Sequence, residues 1–329
     1  MIRLSNRFAS FAALVLISVP AFNAFGQQQV PPAPADQPSA PAPAGQPVFP
    51  KPDPANFTAA SPTRETVDAF LHASWGFDDT RVWQVQAIWK TQVEGVSKVA
   101  ILVGDRTGKQ KPQQIGFFTL ADGKHLIAGD DIVAFGEHPF ADNRAQLVQR
   151  ADGPYLGSAL KDLEIVEFAD FQCPHCKEAQ PNMDKLAVDF PKARIVFQFY
   201  PLEKIHPASK TAASYGYCVA KQGGSTAFFQ FAAAVFDGQD GLNQSTDSAI
   251  LTLNSAVVKA SLDPVKIAAC AATPATSAAV EASVKLATDL DVNQTPMLMI
   301  NGRQVSANAP YDTLKKVIEF QEKLDGVTP

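Results

Sequence analysis

The sequence predicts an α/β domain with a helical insertion, preceded by a small α+β unit. Three observations lead there. First, "LEIVEFADF" and "RIVFQFYPL" are nearly continuous apolar runs around a helical segment, as expected of strands buried on both faces. Second, a long helical stretch from about 207 to 288 separates them from the strand-like "PMLMING" and the amphipathic "YDTLKKVIEFQEKL". Third, four shorter strand-like runs lie upstream, behind one amphipathic helix. Over residues 160 to 329 the order is βαβ, helical insert, ββα.

The elements follow in chain order. Residues 1–26 read as a cleaved signal peptide: Arg3 and Arg7, then the apolar "FAALVLISV", then small residues up to Gly26. Residues 27–62 are rich in Pro, Ala and Gln and read as a disordered tether, because prolines lack N–H donors and large apolar side chains are few. Order is expected from "SPTRETVDAFLHASW", where Ser61 or Thr63 caps a helix and Val67, Phe70, Leu71 and Trp75 share a face. The runs "VWQVQAIWK", "VSKVAILVGD", "QQIGFFTLAD" and "HLIAGDDIVAF" make a mainly antiparallel sheet, with Asp122-Gly123 as a tight turn. That unit spans 63–140, and the polar segment 141–159 reads as a linker.

Hydrophobic residues are 46% and charged residues 19% of the chain, enough for a real core. The net charge of −5 comes without a basic block, which argues against a nucleic-acid partner. His72, His125, His138 and His206 lie apart from any motif and read as ordinary surface or core residues.

The chemistry centres on "EFADFQCPHCKEAQ". A structural zinc site needs about four Cys or His ligands, and Cys173, Cys176 and His175 have no second cluster to complete one. No metal and no cofactor is implied. A disulfide between Cys173 and Cys176 closes a tiny loop and would stabilise little. A redox role explains more. Cys173 follows a strand and opens a helix, where unpaired N–H groups and the macrodipole favour an anion. Pro174 in the first turn gives up only an N–H that had no partner. The His175 imidazole or its backbone N–H adds stabilisation to the Cys173 thiolate. Cys176, nearly a turn further in, is the more buried and resolving thiol. A fall in the Cys173 pKa from about 7 to about 4 would be worth roughly 90 mV toward an oxidant. The reading requires Cys173 to meet water.

Two further places support it. Glu167 is either a desolvated carboxylate relaying a proton to Cys176 or a strand-end charge reaching solvent. Thr295-Pro296 precedes a strand, where proline is normally excluded. A cis proline there would leave the Thr295 backbone free to pair with an extended substrate.

Taken together, "EFADFQCPHCK", the helical insert, "TPMLMING" and the last helix resemble, in that order, the exported thiol-disulfide oxidoreductases of the thioredoxin superfamily, the DsbA-like branch above all. The resemblance covers 160–329 and implies a thioredoxin fold. It also implies Cys173 as nucleophile, Cys176 as resolving thiol, Glu167 as buried acid and Pro296 as cis proline. Reduced or unfolded exported proteins and a membrane quinone-linked reoxidase would be the partners. It further implies a structural disulfide between Cys218 and Cys270 in the insert, the alternative being two buried thiols. Thr295 and the N-terminal unit look more like the DsbC/DsbG branch, whose dimerisation domain the hairpin "FFTLADGKHLIAGDDI" resembles.

The leading expectation is therefore a periplasmic dithiol oxidase. The alternatives are a homodimeric isomerase or reductase served by a membrane electron donor, and a non-catalytic chaperone or binding module.

Overall fold

In the computed structural model, residues 49–108 and 111–327 are described. The expected signal peptide and most of the expected tether lie outside them. The chain divides into two compact units, one ending at Pro139 and one beginning at Phe140.

In the first unit, α1 (Arg64–Trp75) is capped by the Thr63 hydroxyl, which accepts from Thr66 N–H at 3.2 Å. Five antiparallel strands follow in sequential order: β1 (Arg81–Lys90), β2 (Ser97–Asp105), β3 (Gln113–Thr119), β4 (His125–Ala128) and β5 (Asp131–Ala134). Alternating residues of one face, among them Val85, Val99, Ile101 and Phe117, bury against Val67 and Leu71 of α1. Gly123, at φ 67°, makes the turn between β3 and β4. The single run expected at "HLIAGDDIVAF" is instead the hairpin β4–β5, since Gly129 turns the chain at φ 64°.

The expected tether is corrected over its last residues. Residues 49–62 dock on the sheet. Thr58 and Ala59 N–H both donate to the Ile88 carbonyl, at 3.0 and 3.1 Å, and Phe57 packs against the core. A few backbone bonds and one aromatic ring order the segment, which its proline content alone did not suggest.

The second unit begins earlier than expected. The segment read as a linker holds α2 (Ala141–Arg150) and β6 (Tyr155–Gly157). Leu147 and Ala151 pack into a core with Val166, Phe168 and Leu286, so a narrow apolar stripe suffices to seat a polar helix. β6 pairs antiparallel with β8 (Arg194–Phe199). Next to it lies β7 (Glu164–Ala169), parallel to β8, and then β9 (Met297–Ile300) and β10 (Arg303–Ser306), giving the order β10-β9-β7-β8-β6. β7, β8 and β9 are buried along their whole length, which is why their sequences do not alternate. α3 (Pro174–Asp189) crosses from β7 to β8, and α8 (Tyr311–Leu324) closes the chain. This is the thioredoxin fold that the sequence resemblance implies.

The insert comprises α4 (Ser209–Asp237), a 3-10 turn (Gln239–Asn243), α5 (Thr246–Lys259), α6 (Pro264–Ala271) and α7 (Pro274–Asp289). Gly224 breaks the helical path of α4 at φ 73°. Gly216 lets α4 approach closely: a Cβ there would sit 2.9 Å from the rings of both Phe171 and Phe199. Phe171 stacks on Phe197 at 5.1 Å and meets Phe231 edge-on at 5.6 Å. The insert thus packs on the residue two before Cys173. A Cys218–Cys270 disulfide ties α4 to α6, as the resemblance implies.

Candidate active site

β7 ends at Ala169, and α3 starts at Pro174 with Cys173 as its N-cap residue. Cys173 keeps an extended backbone, φ −74° and ψ 121°, and its side chain caps no N–H group. The sulfur sits at the helix mouth, where the positive end of the dipole favours an anion, while the Cys176 N–H also bonds the Cys173 carbonyl at 3.1 Å. Cys173 and Cys176 are free thiols.

The two thiols differ sharply. Cys173 is pushed down to about 5, first by a hydrogen bond from the Cys176 thiol, then by Thr295 and by the backbone N–H groups of Cys176 and His175, against the opposing effect of burial. Cys176 is pushed well above the usual thiol range by burial, and further by its bond to Cys173. The same bond that settles a charge on one sulfur removes it from the other.

His175 divides its expected role. Its backbone N–H favours the Cys173 anion. Its imidazole turns outward, 66% exposed, with Nδ1 2.8 Å from Glu178 Oε2. That carboxylate is the main reason its pKa rises, and the Cys173 charge is a smaller one.

Accessibility corrects the sequence reading. Cys176 is fully buried, as expected, but Cys173 retains only 4% of its surface. The Thr295 carbonyl, 3.7 Å from Sγ, and Cys176 stand against it. A sulfur that must meet water does so here through a narrow opening.

Glu167 is resolved in favour of burial. It sits within β7 and is pushed up to about 8 by desolvation. Gln180 Nε2, from the second turn of α3, donates to its Oε1 at 3.3 Å and to the Cys176 carbonyl at 2.9 Å. The Glu167 charge also raises the Cys176 pKa, so the two groups sense each other. Across the mouth, the Thr295-Pro296 peptide is cis. Pro296 is buried and leads into β9, and Thr295 before it is half-buried.

Several groups that frame the site were not found from sequence. Gln239 Nε2 donates to the carbonyls of Phe171 and Cys173, both at 2.9 Å. Gln172 Nε2 donates to Asn243 Oδ1 at 2.8 Å, and its Oε1 accepts from Ala208 N–H at 2.7 Å. His206, read as ordinary, lies 2.7 Å from a carboxylate oxygen of Asp170, a fully buried side chain. The one available signal was polarity: "ADFQ" sets two hydrogen-bonding side chains between apolar residues beside a motif. Their partners lie too far along the chain to be inferred.

A family model described as Thioredoxin matches residues 150–320, more than half of the chain. Among curated proteins, the Na(+)/H(+) antiporter NhaA 3 of Salinispora tropica is 37% identical over 78 residues, 24% of this chain and 12% of that protein. The antiporter NhaA 1 of Mycolicibacterium gilvum is 26% identical over 151 residues, 46% of this chain and 23% of that protein. The chain thus spans a quarter or less of these relatives, and the antiport in their names does not carry over. Among solved structures, a periplasmic thioredoxin-like protein from Salmonella enterica serovar Typhimurium aligns at TM-score 0.45 and 22% identity, over 55% of this chain and 95% of that one. BdbD from Bacillus subtilis aligns at 0.45 and 21%, over 52% of this chain and 93% of that one.

Proposed function

The chain belongs to the thioredoxin family, and from that premise we propose that it is a periplasmic thiol-disulfide oxidoreductase that donates the Cys173–Cys176 disulfide to exported proteins. The observation that carries this reading is the asymmetry of the pair: Cys173 pushed down to about 5 and Cys176 pushed well up.

A substrate thiolate attacks Cys173 Sγ of the disulfide, forming a mixed disulfide and releasing Cys176. The buried Cys176 must leave with a proton, and Glu167, protonated at neutral pH by its raised pKa, holds one nearby. A second substrate thiolate then attacks the substrate sulfur of the mixed disulfide. Cys173 leaves as a stable thiolate. Two electrons pass from substrate to protein, and the substrate gains a disulfide. Stabilising that leaving thiolate by two pKa units below pH 7 is worth about 60 mV toward an oxidant. Pairing of an extended substrate with the Thr295 backbone would orient the attack, and the small opening at Cys173 restricts its direction. A quinone-linked membrane reoxidase is the partner that restores the disulfide.

A second reading, an isomerase or reductase dimeric through the first unit, is supported by the edge strand β5, where Ile132 is 65% exposed.

The test is the equilibrium of the full chain with glutathione, read with alkylation of the reduced form at pH 7. The oxidase reading expects a readily reduced disulfide, rapid modification of Cys173 and none of Cys176. Modification of both thiols only on global unfolding overturns the exchange reading. A strongly held disulfide or a dimer that reshuffles wrong disulfides moves the assignment to the second.

A further inference from the structure

One residue outside the CPHC motif touches both redox cysteines. Asp170, the first residue after β7, receives the Cys173 N–H on its carbonyl at 3.1 Å. Its own N–H donates to Cys176 Sγ at 3.4 Å. Its side chain, fully buried, is bonded on every side that the main chain leaves open. Oδ1 accepts from Gln172 N–H at 2.8 Å, and Oδ2 accepts from Leu202 N–H at 2.9 Å and faces His206 Nδ1 at 2.7 Å. His206 comes from the connection between β8 and α4, and its main chain is held too: its N–H bonds to the Leu202 carbonyl at 2.9 Å, and its carbonyl accepts from Ser209 N–H at 3.1 Å.

We propose that Asp170 and His206 form a positioning pair for the redox centre: the histidine-held carboxylate fixes the peptide whose N–H bonds the resolving sulfur and whose carbonyl bonds the Cys173 amide. The pair touches no substrate and acts through Cys176. This rests on the exchange reading and extends it. A buried carboxylate is retained only when its acceptor sites are filled. Here three donors fill them, one from within the redox turn and two from the β8–α4 connection. An N–H aimed at Cys176 Sγ favours the reduced state, in which that sulfur is the better acceptor. Without His206 the Asp170 side chain loses its anchor on the β8–α4 connection, the 170–173 turn loosens, and that amide is no longer held on the sulfur. The disulfide should then be held more strongly.

Two variants separate positioning from mere packing. His206→Leu removes the donor, whereas His206→Asn places an amide N–H near the position of Nδ1. Asp170→Asn is a third probe, since one amide oxygen cannot accept all three bonds. Two readouts are taken: hydrogen exchange at the Asp170 amide, and the equilibrium constant with glutathione. The expected result is faster exchange and an about three- to ten-fold shift toward the disulfide in His206→Leu and Asp170→Asn, with His206→Asn close to the parent. Equal behaviour of His206→Leu and the parent overturns the pair, as does an equal shift in His206→Leu and His206→Asn. If His206→Leu does not fold, Asp170→Asn against His206→Asn decides on the same terms. A parent protein that never equilibrates with glutathione defeats the exchange reading instead. The Asp170 amide then still decides whether His206 holds this turn.

Discussion

The second unit carries two cysteine pairs with opposite designs. Cys218 and Cys270 are 52 residues apart, join two helices of the insert and are bonded. Cys173 and Cys176 are three apart, share one helix mouth and are free. The difference lies in what each sulfur faces. Around Cys218 there is the Thr276 hydroxyl at 3.4 Å and an otherwise apolar core. Around Cys173 there are N–H groups and a second thiol, all favouring an anion. A long loop makes a disulfide stabilising, while a short one at a helix N-terminus makes it exchangeable. Spacing and dipole thus suit one pair to structure and, on the exchange reading, the other to chemistry.

The sharpest way to break that division is to exchange the losses. Cys173→Ser should lower disulfide donation to a reduced substrate by about a thousand-fold or more and leave the melting temperature nearly unchanged. Cys218→Ala with Cys270→Ala should do the reverse. A double variant that loses exchange while still folded would show that the insert disulfide takes part in the chemistry.

The second effect is on stability. Opening a loop of 52 residues removes about 4 kcal/mol on the chain-entropy model. Denaturant unfolding of the Cys218→Ala, Cys270→Ala protein, compared with the parent under oxidising conditions, measures it. A loss below about 1 kcal/mol would mean that helix packing around Phe231 already fixes the insert.

Glu167 gives the next effect, and its sign can be worked out. Its folded pKa of about 8 lies above the ordinary carboxylate value of 4.5. Below pH 4.5 both states are protonated and nothing differs. Between about 4.5 and 8 the unfolded chain has released the proton while the folded chain keeps it, so stability falls as pH rises, and it levels off above. Glu167→Gln should flatten that slope and stabilise the protein at pH 8 by a few kcal/mol. It should also slow release of Cys176 in the exchange reaction, if Glu167 supplies its proton. A variant with the parent's pH slope would place the buried charge elsewhere.

How much of this was legible in the sequence depended on range. The helix mouth could be read because strand, cysteines and helix are contiguous, and "EIVEFA" announces a strand with no solvent face. The insert could be read from its length and its glycine and proline breaks. The partners of the redox turn could not. Gln239 lies 66 residues from Cys173, and His206 lies 36 from Asp170. A glutamine at a break in a helical stretch carries no mark of which carbonyl it will meet. α2 was missed for a related reason: its core contact rests on Leu147, which one polar turn after another conceals. The docking of residues 49–62 relies on main-chain bonds to Ile88, to which composition is blind.

The smallest effect concerns the residue whose side chain the motif draws attention to. A histidine between two cysteines invites the view that its imidazole sets the thiolate. The geometry gives that work to the main chain: the His175 N–H acts on the sulfur, while the ring is 66% exposed and engaged with Glu178. A ring in water, already bonded to a carboxylate, is well screened from a third charge. His175→Ala keeps the N–H and the helix, so the Cys173 pKa, followed by thiolate absorbance against pH, should rise by less than about half a unit. Thr295→Val, which alters a side chain that favours the Cys173 anion, should raise it more. If the histidine variant moves the titration by more than a unit and the threonine variant does not, the ring rather than the helix mouth holds the charge, and the contrast between the two cysteine pairs rests on one side chain instead of on position.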